Sequence, residues 1–166
     1  MVQYYSYTSA HIRSLNRKTN MSRILISTIL LALLISSVAL AGSDPILKRQ
    51  QLMEDTKDAA QVIGGMLKKK QKFDAEAAME AFKVWQTTAT EAGDLFPDGS
   101  GTGHKTEAKA TIWTDRDGFN EKMADFSTTV DAAIAAKPDS LEALSAAAGP
   151  VFKTCKGCHE GYRVEK

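Results

Sequence analysis

The sequence predicts an all-α fold, an antiparallel four-helix bundle, and three observations support this prediction. In four segments after residue 43, apolar residues recur at alternating steps of three and four, which is the spacing of an amphipathic helix. Two of the three connections between these segments are rich in Gly, Pro, Asp or Ser, and none of the segments has the strict alternation of a strand. The length of 166 residues suits one domain, and helices joined by short connections form antiparallel bundles.

The N-terminal part of the chain differs from the rest. It holds four basic residues and no acidic one, the basic residues being Arg13, Arg17, Lys18 and Arg23. An uncharged run of 17 residues, 24–40, completes this part, and Ala39 and Ala41 supply small side chains at the two positions that signal peptidase reads. The pattern predicts a secretory signal peptide. A membrane anchor is the alternative, because 17 uncharged residues come close to the length that spans a bilayer.

A signal peptide would divide the chain into two parts. We expect residues 1–41 to form an N-terminal extension and a cleaved signal, the signal proper covering about residues 21–41, and residues 42–166 to form one four-helix-bundle domain. The whole chain has 21 basic and 20 acidic residues, and loss of the four basic residues named above leaves 17 against 20, a net charge of −3. We therefore expect a periplasmic protein with no stable membrane anchor after cleavage, and no nucleic acid as partner.

Caps and apolar spacing predict the first two helices. Asp44 followed by Pro45 is typical of a helix start, and Asp74 can cap a second helix. Three lysines, 68–70, are expected in the last turn of the first helix, where cations suit the helix dipole. A heptad seam is expected along that helix at Ile46, Met53, Ala60 and Leu67, with Ile63 between them. The predicted inner face of the second helix consists of Ala78, Phe82, Trp85, Ala89 and Ala92.

A glycine-rich loop is predicted from Gly93 to about Lys105, before the third and fourth helices. A capping box from Thr114 to Asp117 then opens the third helix. Its buried face is expected at Phe119, Met123, Phe126, Val130 and Ile134, with Met66 and Met123 as core fillers. The fourth helix contains Pro150, where we expect a kink or a frayed turn. The predicted buried seam of this helix is Leu141, Leu144, Ala148, Val151, Cys155, Cys158 and Tyr162.

The chemistry of the chain is concentrated in Cys155-Lys156-Gly157-Cys158-His159. Cys-x-x-Cys-His is the attachment motif of c-type haem. On a helix, positions i, i+3 and i+4 share one face, so two thiols can form thioethers with the haem vinyl groups while the adjacent imidazole reaches the iron. We therefore predict one covalently attached haem c, bound through Cys155 and Cys158, with His159 as an axial ligand of its iron.

Three other kinds of site use two cysteines at this spacing. A thiol oxidoreductase places the pair at a helix start after a strand, whereas this motif lies near the end of an all-α chain. A structural zinc ion needs a fourth ligand, and the remaining histidine of the exported part, His104, lies in the glycine-rich loop. A plain disulfide would leave His159 unexplained.

The residues after the motif extend it into a longer signature. An acid, any residue, an aromatic residue and Arg follow the histidine, and here they are Glu160, Gly161, Tyr162 and Arg163. This segment resembles the class II cytochromes c, the cytochrome c-prime family, and Leu95-Phe96-Pro97 and Ile112-Trp113 are similar to further landmarks of that family. The resemblance covers essentially residues 44–166 and implies a four-helix bundle with its haem near the C-terminal end.

The resemblance also implies roles for two more residues, and spacing predicts one for a third. In the family a first-helix side chain faces the second axial position of the iron, and Met53 stands there. Two features resemble the low-spin, cytochrome c-556-like branch. One is the string from Arg49 to Met53, and the other is Pro150, which stands five residues before the first cysteine. The resemblance thus implies Met53 as the distal iron ligand and Arg49 beside a haem propionate. Arg163 follows His159 by one helical turn, so its position predicts that it covers the imidazole.

Ligation by Met53 would imply electron transfer, because a thioether favours ferrous iron and an occupied sixth position excludes gases. We expect periplasmic redox proteins as partners and no substrate that is turned over, so the protein is not expected to be an enzyme. The alternative is a five-coordinate, high-spin cytochrome c-prime that binds NO or CO. Phe152 stands where relatives often have glycine, three residues before the first cysteine, so the homodimer common in the family stays open.

Overall fold

The computed structural model describes residues 44–165, and these residues contain four long helices. These are α1, Pro45–Leu67, α2, Ala75–Glu91, α3, Arg116–Ala136, and α4, Leu141–Tyr162. A 3-10 turn, Ala92–Leu95, follows α2, and a single helical turn, Thr111–Thr114, precedes α3. The predicted all-α four-helix bundle is confirmed. The signal peptide predicted within residues 1–41 lies outside the described residues.

Side-chain caps fix where the helices begin. Asp44 accepts a hydrogen bond from the backbone N–H two residues on, and Asp74 and Ser140 each accept one from the N–H three residues on. The predicted capping box is wrong in its register, because Asp115 rather than Thr114 caps α3. Thr114 belongs to the preceding helical turn, and its hydroxyl donates back to a carbonyl four residues earlier.

One prediction about a helix end is corrected, and one about a helix interior is narrowed. The three lysines 68–70 lie beyond the last turn of α1, because that helix ends at Leu67 and Lys68 is its C-cap. Of the two features expected at Pro150, the frayed turn is absent, because α4 continues through this residue, and the kink stays a prediction. Pro150 and Ala146 are both exposed, and the Ala146 carbonyl is the one that loses its helical N–H partner to the proline. In the described part of the chain, no helix combines the length and apolar character needed to cross a membrane.

The main hydrophobic core lies between the four helices. It contains the large side chains Ile63, Met66, Phe82, Trp85, Val130, Leu144 and Val151. The predicted α1 seam is confirmed at Ile46 and Ile63, but it is one residue out of register at Met53, which is 36% exposed whereas Leu52 is buried. Apolar residues cover two adjacent faces of α1, one packed on α2 and one lining a cavity, so their periodicity does not identify the more deeply buried face.

A smaller core cluster joins the loop to the bundle. Phe96, Ile112 and Phe119 are its buried members. The indole N–H of Trp113 donates to the carbonyls of Phe96 and Pro97, at 3.2 and 3.1 Å. The two landmark segments of the sequence therefore pack on each other and close one side of the cavity described next.

Candidate haem site

A cavity of about 610 Å³ opens between the four helices and the loop that precedes α3. This volume lies within the roughly 300–1,000 Å³ typical of ligand and cofactor sites. The six predicted site residues all line it, namely Arg49, Met53, Cys155, Cys158, His159 and Arg163. Residues that are up to 114 positions apart in the sequence, Arg49 and Arg163, therefore meet at one site.

Helix α4 supplies the two thiols of the cavity. Cys155 and Cys158 are free and half-buried, one helical turn apart. Burial raises the pKa of Cys155 to about 11, and the neighbouring Cys158 adds to the shift. Burial also raises the pKa of Cys158, against the opposing effect of Lys122. Both thiols are therefore protonated near neutral pH, unlike the thiolate of a thiol oxidoreductase, whose pKa is lowered at a helix N-terminus.

His159 follows the thiols on the same helix face. Burial lowers its pKa, and the Arg163 cation lowers it further against the opposing effect of Glu107. A neutral imidazole keeps the nitrogen lone pair that a metal ligand needs. His104, the remaining candidate for a zinc ligand, pairs instead with Asp44 at 3.0 Å and does not line the cavity.

Hydrogen bonds from a neighbouring segment hold the end of α4 on which His159 lies. Lys109 donates to the Tyr162 carbonyl through its backbone N–H, at 2.9 Å, and to the Glu160 carbonyl through Nζ, at 2.8 Å. The Thr111 hydroxyl donates to the Gly161 carbonyl at 2.9 Å. Val164 N–H in turn donates to the Glu107 carbonyl at 2.8 Å. These bonds satisfy carbonyls that a helix end leaves without partners, and they fix the His159 turn relative to the cavity wall. The local sequence carries no signal for this pairing.

Tyr162 ties the same helix end to α3. Its hydroxyl donates to Asp115 at 2.6 Å, and that carboxylate also caps α3. The bond to Asp115 raises the pKa of Tyr162 to about 12. A side chain at Gly118 would collide with both Asp115 and Tyr162, so the close approach requires glycine there. The ring of Tyr162 meets Phe119 edge-on with 5.5 Å between ring centroids.

Arg49 is buried, with 3% of its surface exposed, and it binds the loop. One terminal nitrogen donates to the Leu95 carbonyl and the Ser100 hydroxyl, and the other donates to the Ser100 carbonyl and the Thr106 hydroxyl. The guanidinium also lies 4.5 Å from the centre of the Phe96 ring. Four of its five N–H donors thus hold the loop. The bond to a propionate implied by the resemblance would fall to the remaining N–H, on Nε.

Two methionines line the cavity. Met53 projects from α1 and Met123 from α3, and Met123 is half-buried against both core clusters. Met66, in contrast, lies in the core and accepts a hydrogen bond from the Asp74 N–H at 3.4 Å. The structure therefore offers two thioethers to this cavity, whereas the sequence singled out Met53 alone.

The residues present fit a c-type haem. Two soft thiols, a neutral imidazole and a thioether suit haem attachment and iron ligation. Aromatic and aliphatic side chains form much of the remaining wall, among them Trp85, Phe96, Phe119 and Phe152. The sequence did not predict this wall, because its members belong to three helices and a loop.

A four-helix bundle with Cys-x-x-Cys-His in its last helix defines a class II c-type cytochrome. The chain matches the sequence model of the family described as Cytochrome C' over residues 44–163. It is 33% identical over 134 residues to cytochrome c-556 of Rhodopseudomonas palustris, which covers 78% of this chain and 89% of that protein. Its identity to cytochrome c' of the same organism is 31% over 136 residues, covering 82% and 92%.

Solved structures of similar proteins have the same fold as this chain. Cytochrome c' from Rhodopseudomonas palustris superposes with a TM-score of 0.71 at 29% identity, covering 75% of this chain and 98% of that chain. Oxidised cytochrome c556 from that organism gives a TM-score of 0.67 at 31% identity, covering 74% and 98%. The chain belongs to the cytochrome c' family, whose members here include proteins named cytochrome c-556 and proteins named cytochrome c'. Membership implies haem c as the cofactor.

Proposed function

We propose that the protein is a periplasmic monohaem cytochrome that transfers electrons, with Cys155 and Cys158 holding the haem and His159 and Met53 ligating its iron. The observation that carries the proposal is that these four side chains line one cavity in a member of this family. When bound, haem c supplies a one-electron ferric–ferrous couple. Ligation of its iron by a thioether and an imidazole would raise its potential relative to harder ligands.

The side chains of this chain would act by holding and shielding. Cys155 and Cys158 anchor the haem to α4, and the bonds at the end of that helix keep His159 in place. Arg49 keeps the loop against the cavity. Because all these groups orient rather than react, we propose that no substrate is turned over and that the partners are other periplasmic redox proteins.

A second candidate function is the binding of NO or CO at an open sixth position. Met53 is 36% exposed and lies on a helix face next to the buried one. Methionine is unbranched and flexible, so its sulfur could lie against the iron or away from it. Relatives named cytochrome c' are about as similar to this chain as relatives named cytochrome c-556.

Replacement of each methionine in the haem-loaded protein tests the first candidate. Met53→Ala is expected to convert a low-spin spectrum to a high-spin one and to allow CO binding to the reduced protein. Met123→Ala removes a thioether from the same cavity and is the matched control, expected to stay low-spin. An unchanged spin state in Met53→Ala would contradict the proposal, and a change in Met123→Ala alone would transfer the ligand role to Met123.

A further inference from the structure

An aromatic pair forms part of the cavity wall. Trp85 of α2 and Phe152 of α4 both line the cavity, and their rings meet nearly edge-on, with centroids 5.4 Å apart and planes at 77°. Trp85 is 1% exposed and is packed against Phe82, whereas Phe152 is half-buried. The indole is therefore fixed in the core, and it supports the Phe152 ring from one side.

The pair is connected to the turn of α1 that follows Met53. The Trp85 indole N–H donates to the Thr56 carbonyl at 3.1 Å, and the Thr56 hydroxyl pairs with that of Thr88 at 2.7 Å. Met53 and Thr56 are three residues apart on one helix, so they share a face, and both line the cavity. The aromatic pair thus belongs to the Met53 end of the cavity.

The position of Phe152 on α4 also assigns it to the Met53 end of the cavity. Phe152 precedes Cys155 by three residues and His159 follows Cys155 by four, which separates Phe152 from His159 by about 10 Å of helix rise. A different aromatic pair, Tyr162 with Phe119, lies at the His159 end. Phe152 and His159 therefore flank the Cys155 anchor from opposite sides.

We propose that Phe152 is a specificity-determining residue that restricts access of diatomic gases to the Met53 end of the cavity. Its ring, held by Trp85, occupies space through which CO or NO would reach an iron from which the Met53 sulfur is absent. The inference rests on the haem of the proposed function but not on ligation by Met53. It predicts a slow reaction with CO even where the sixth position is open.

The experiment compares CO association rates by flash photolysis of the reduced, haem-loaded protein. If the wild type is low-spin, Phe152→Val, Phe152→Leu and Phe152→Ala are made in the Met53→Ala background, and if it is high-spin they are made in the wild type. We expect the rate to rise as the side chain shrinks, with Phe152→Ala at least about tenfold faster than its parent. Phe152→Leu, which keeps most of the bulk, should stay close to the parent.

Phe126→Ala is the matched control, because Phe126 is a buried phenyl group of the same core that does not line the cavity. It should lower thermal stability without a comparable change in CO rate. A CO rate that does not change along the Phe152 series, together with a loss of stability like that of Phe126→Ala, would reduce Phe152 to a packing residue and overturn the inference. If Phe152→Ala does not fold, Phe152→Val decides by the same criterion, with Phe152→Leu as the near-parent reference. The wild-type spin state tests Met53 separately.

Discussion

The two ends of the cavity are built differently. At the His159 end, backbone carbonyls of the last α4 turn accept hydrogen bonds from Lys109 and Thr111, and Tyr162 donates to Asp115. At the Met53 end, the bonds and ring contacts involve neighbouring side chains, whereas Met53 itself is a flexible side chain that is 36% exposed. Hydrogen bonds to the backbone of the last α4 turn therefore preorganise the first end, and the second end depends on side-chain packing.

This difference assigns separate tasks to the two ends. A ligand on a fixed helix turn is held in one geometry before the haem binds, as a preorganised site requires. The sulfur of a flexible side chain can ligate the iron or lie away from it without disturbing the fold. In our account the His159 end sets where the haem is held, and the Met53 end decides between electron transfer and gas binding.

The largest expected effect is at the His159 end of the cavity. Replacing both anchors, Cys155→Ser with Cys158→Ser, should abolish covalent haem attachment, because no thiol is left in the described chain to form a thioether. Haem staining of the denatured protein after electrophoresis measures this directly. Lys156→Ala, within the motif but with an exposed side chain, should keep the stain. Haem that remained bound to the double variant after denaturation would show that our site assignment is wrong.

The next largest effect concerns the loop that Arg49 holds against the cavity. Arg49→Gln should lower the free energy of unfolding by about 3 kcal/mol or more, because charged hydrogen bonds contribute roughly 1.5–3 kcal/mol and buried acceptors lose their donor. Arg49→Lys keeps the charge but not the fork of donors, so it should recover only part of the loss. Urea titration provides the measurement.

Lys48→Gln is the control for that experiment. Lys48 is the neighbour of Arg49, and its ion pair with Glu91 is exposed at the surface. Such pairs contribute at most about 1 kcal/mol. Equal losses in the two glutamine variants would mean that the Arg49 contacts with the loop do not stabilise the fold.

The smallest effect is a pH dependence of the protein's stability, and it arises at the His159 end of the cavity. The bond to Asp115 raises the pKa of Tyr162 from 10.0 to about 12, so the folded protein holds the phenol proton more tightly than the unfolded chain does. This stabilisation is fully present below the unfolded pKa and is lost as the pH rises from about 10 to about 12. Tyr162→Phe should therefore lose less stability over this range than the wild type. Urea midpoints on both sides of the range would test this, and parallel curves for the two proteins would contradict it.

Local features of the fold and site could be predicted from the sequence. Asp44 and Asp74 cap helices because a carboxylate reaches an N–H two or three residues away. The motif from Cys155 to His159 fits one helix face because of its spacing alone. These predictions need no knowledge of which segments lie next to each other.

The remaining features depend on contacts between distant segments. Arg49 binds acceptors 46 to 57 residues away, and Tyr162 binds Asp115 47 residues away. The α1 seam was one residue out of register at Met53, because apolar residues cover both the core face and the cavity face of that helix. Phe152 stood out in the sequence only as an unusual residue, and its contact with Trp85 is visible only in the folded chain.

The visible absorption spectrum of the haem-loaded protein, recorded oxidised, reduced and reduced with CO, tests the central claim most directly. Our account predicts a sharp low-spin reduced spectrum, a weak far-red sulfur-to-iron band in the oxidised form, and no change on adding CO. A broad high-spin spectrum that CO shifts would contradict ligation by Met53 and would make gas binding the function of the Met53 end.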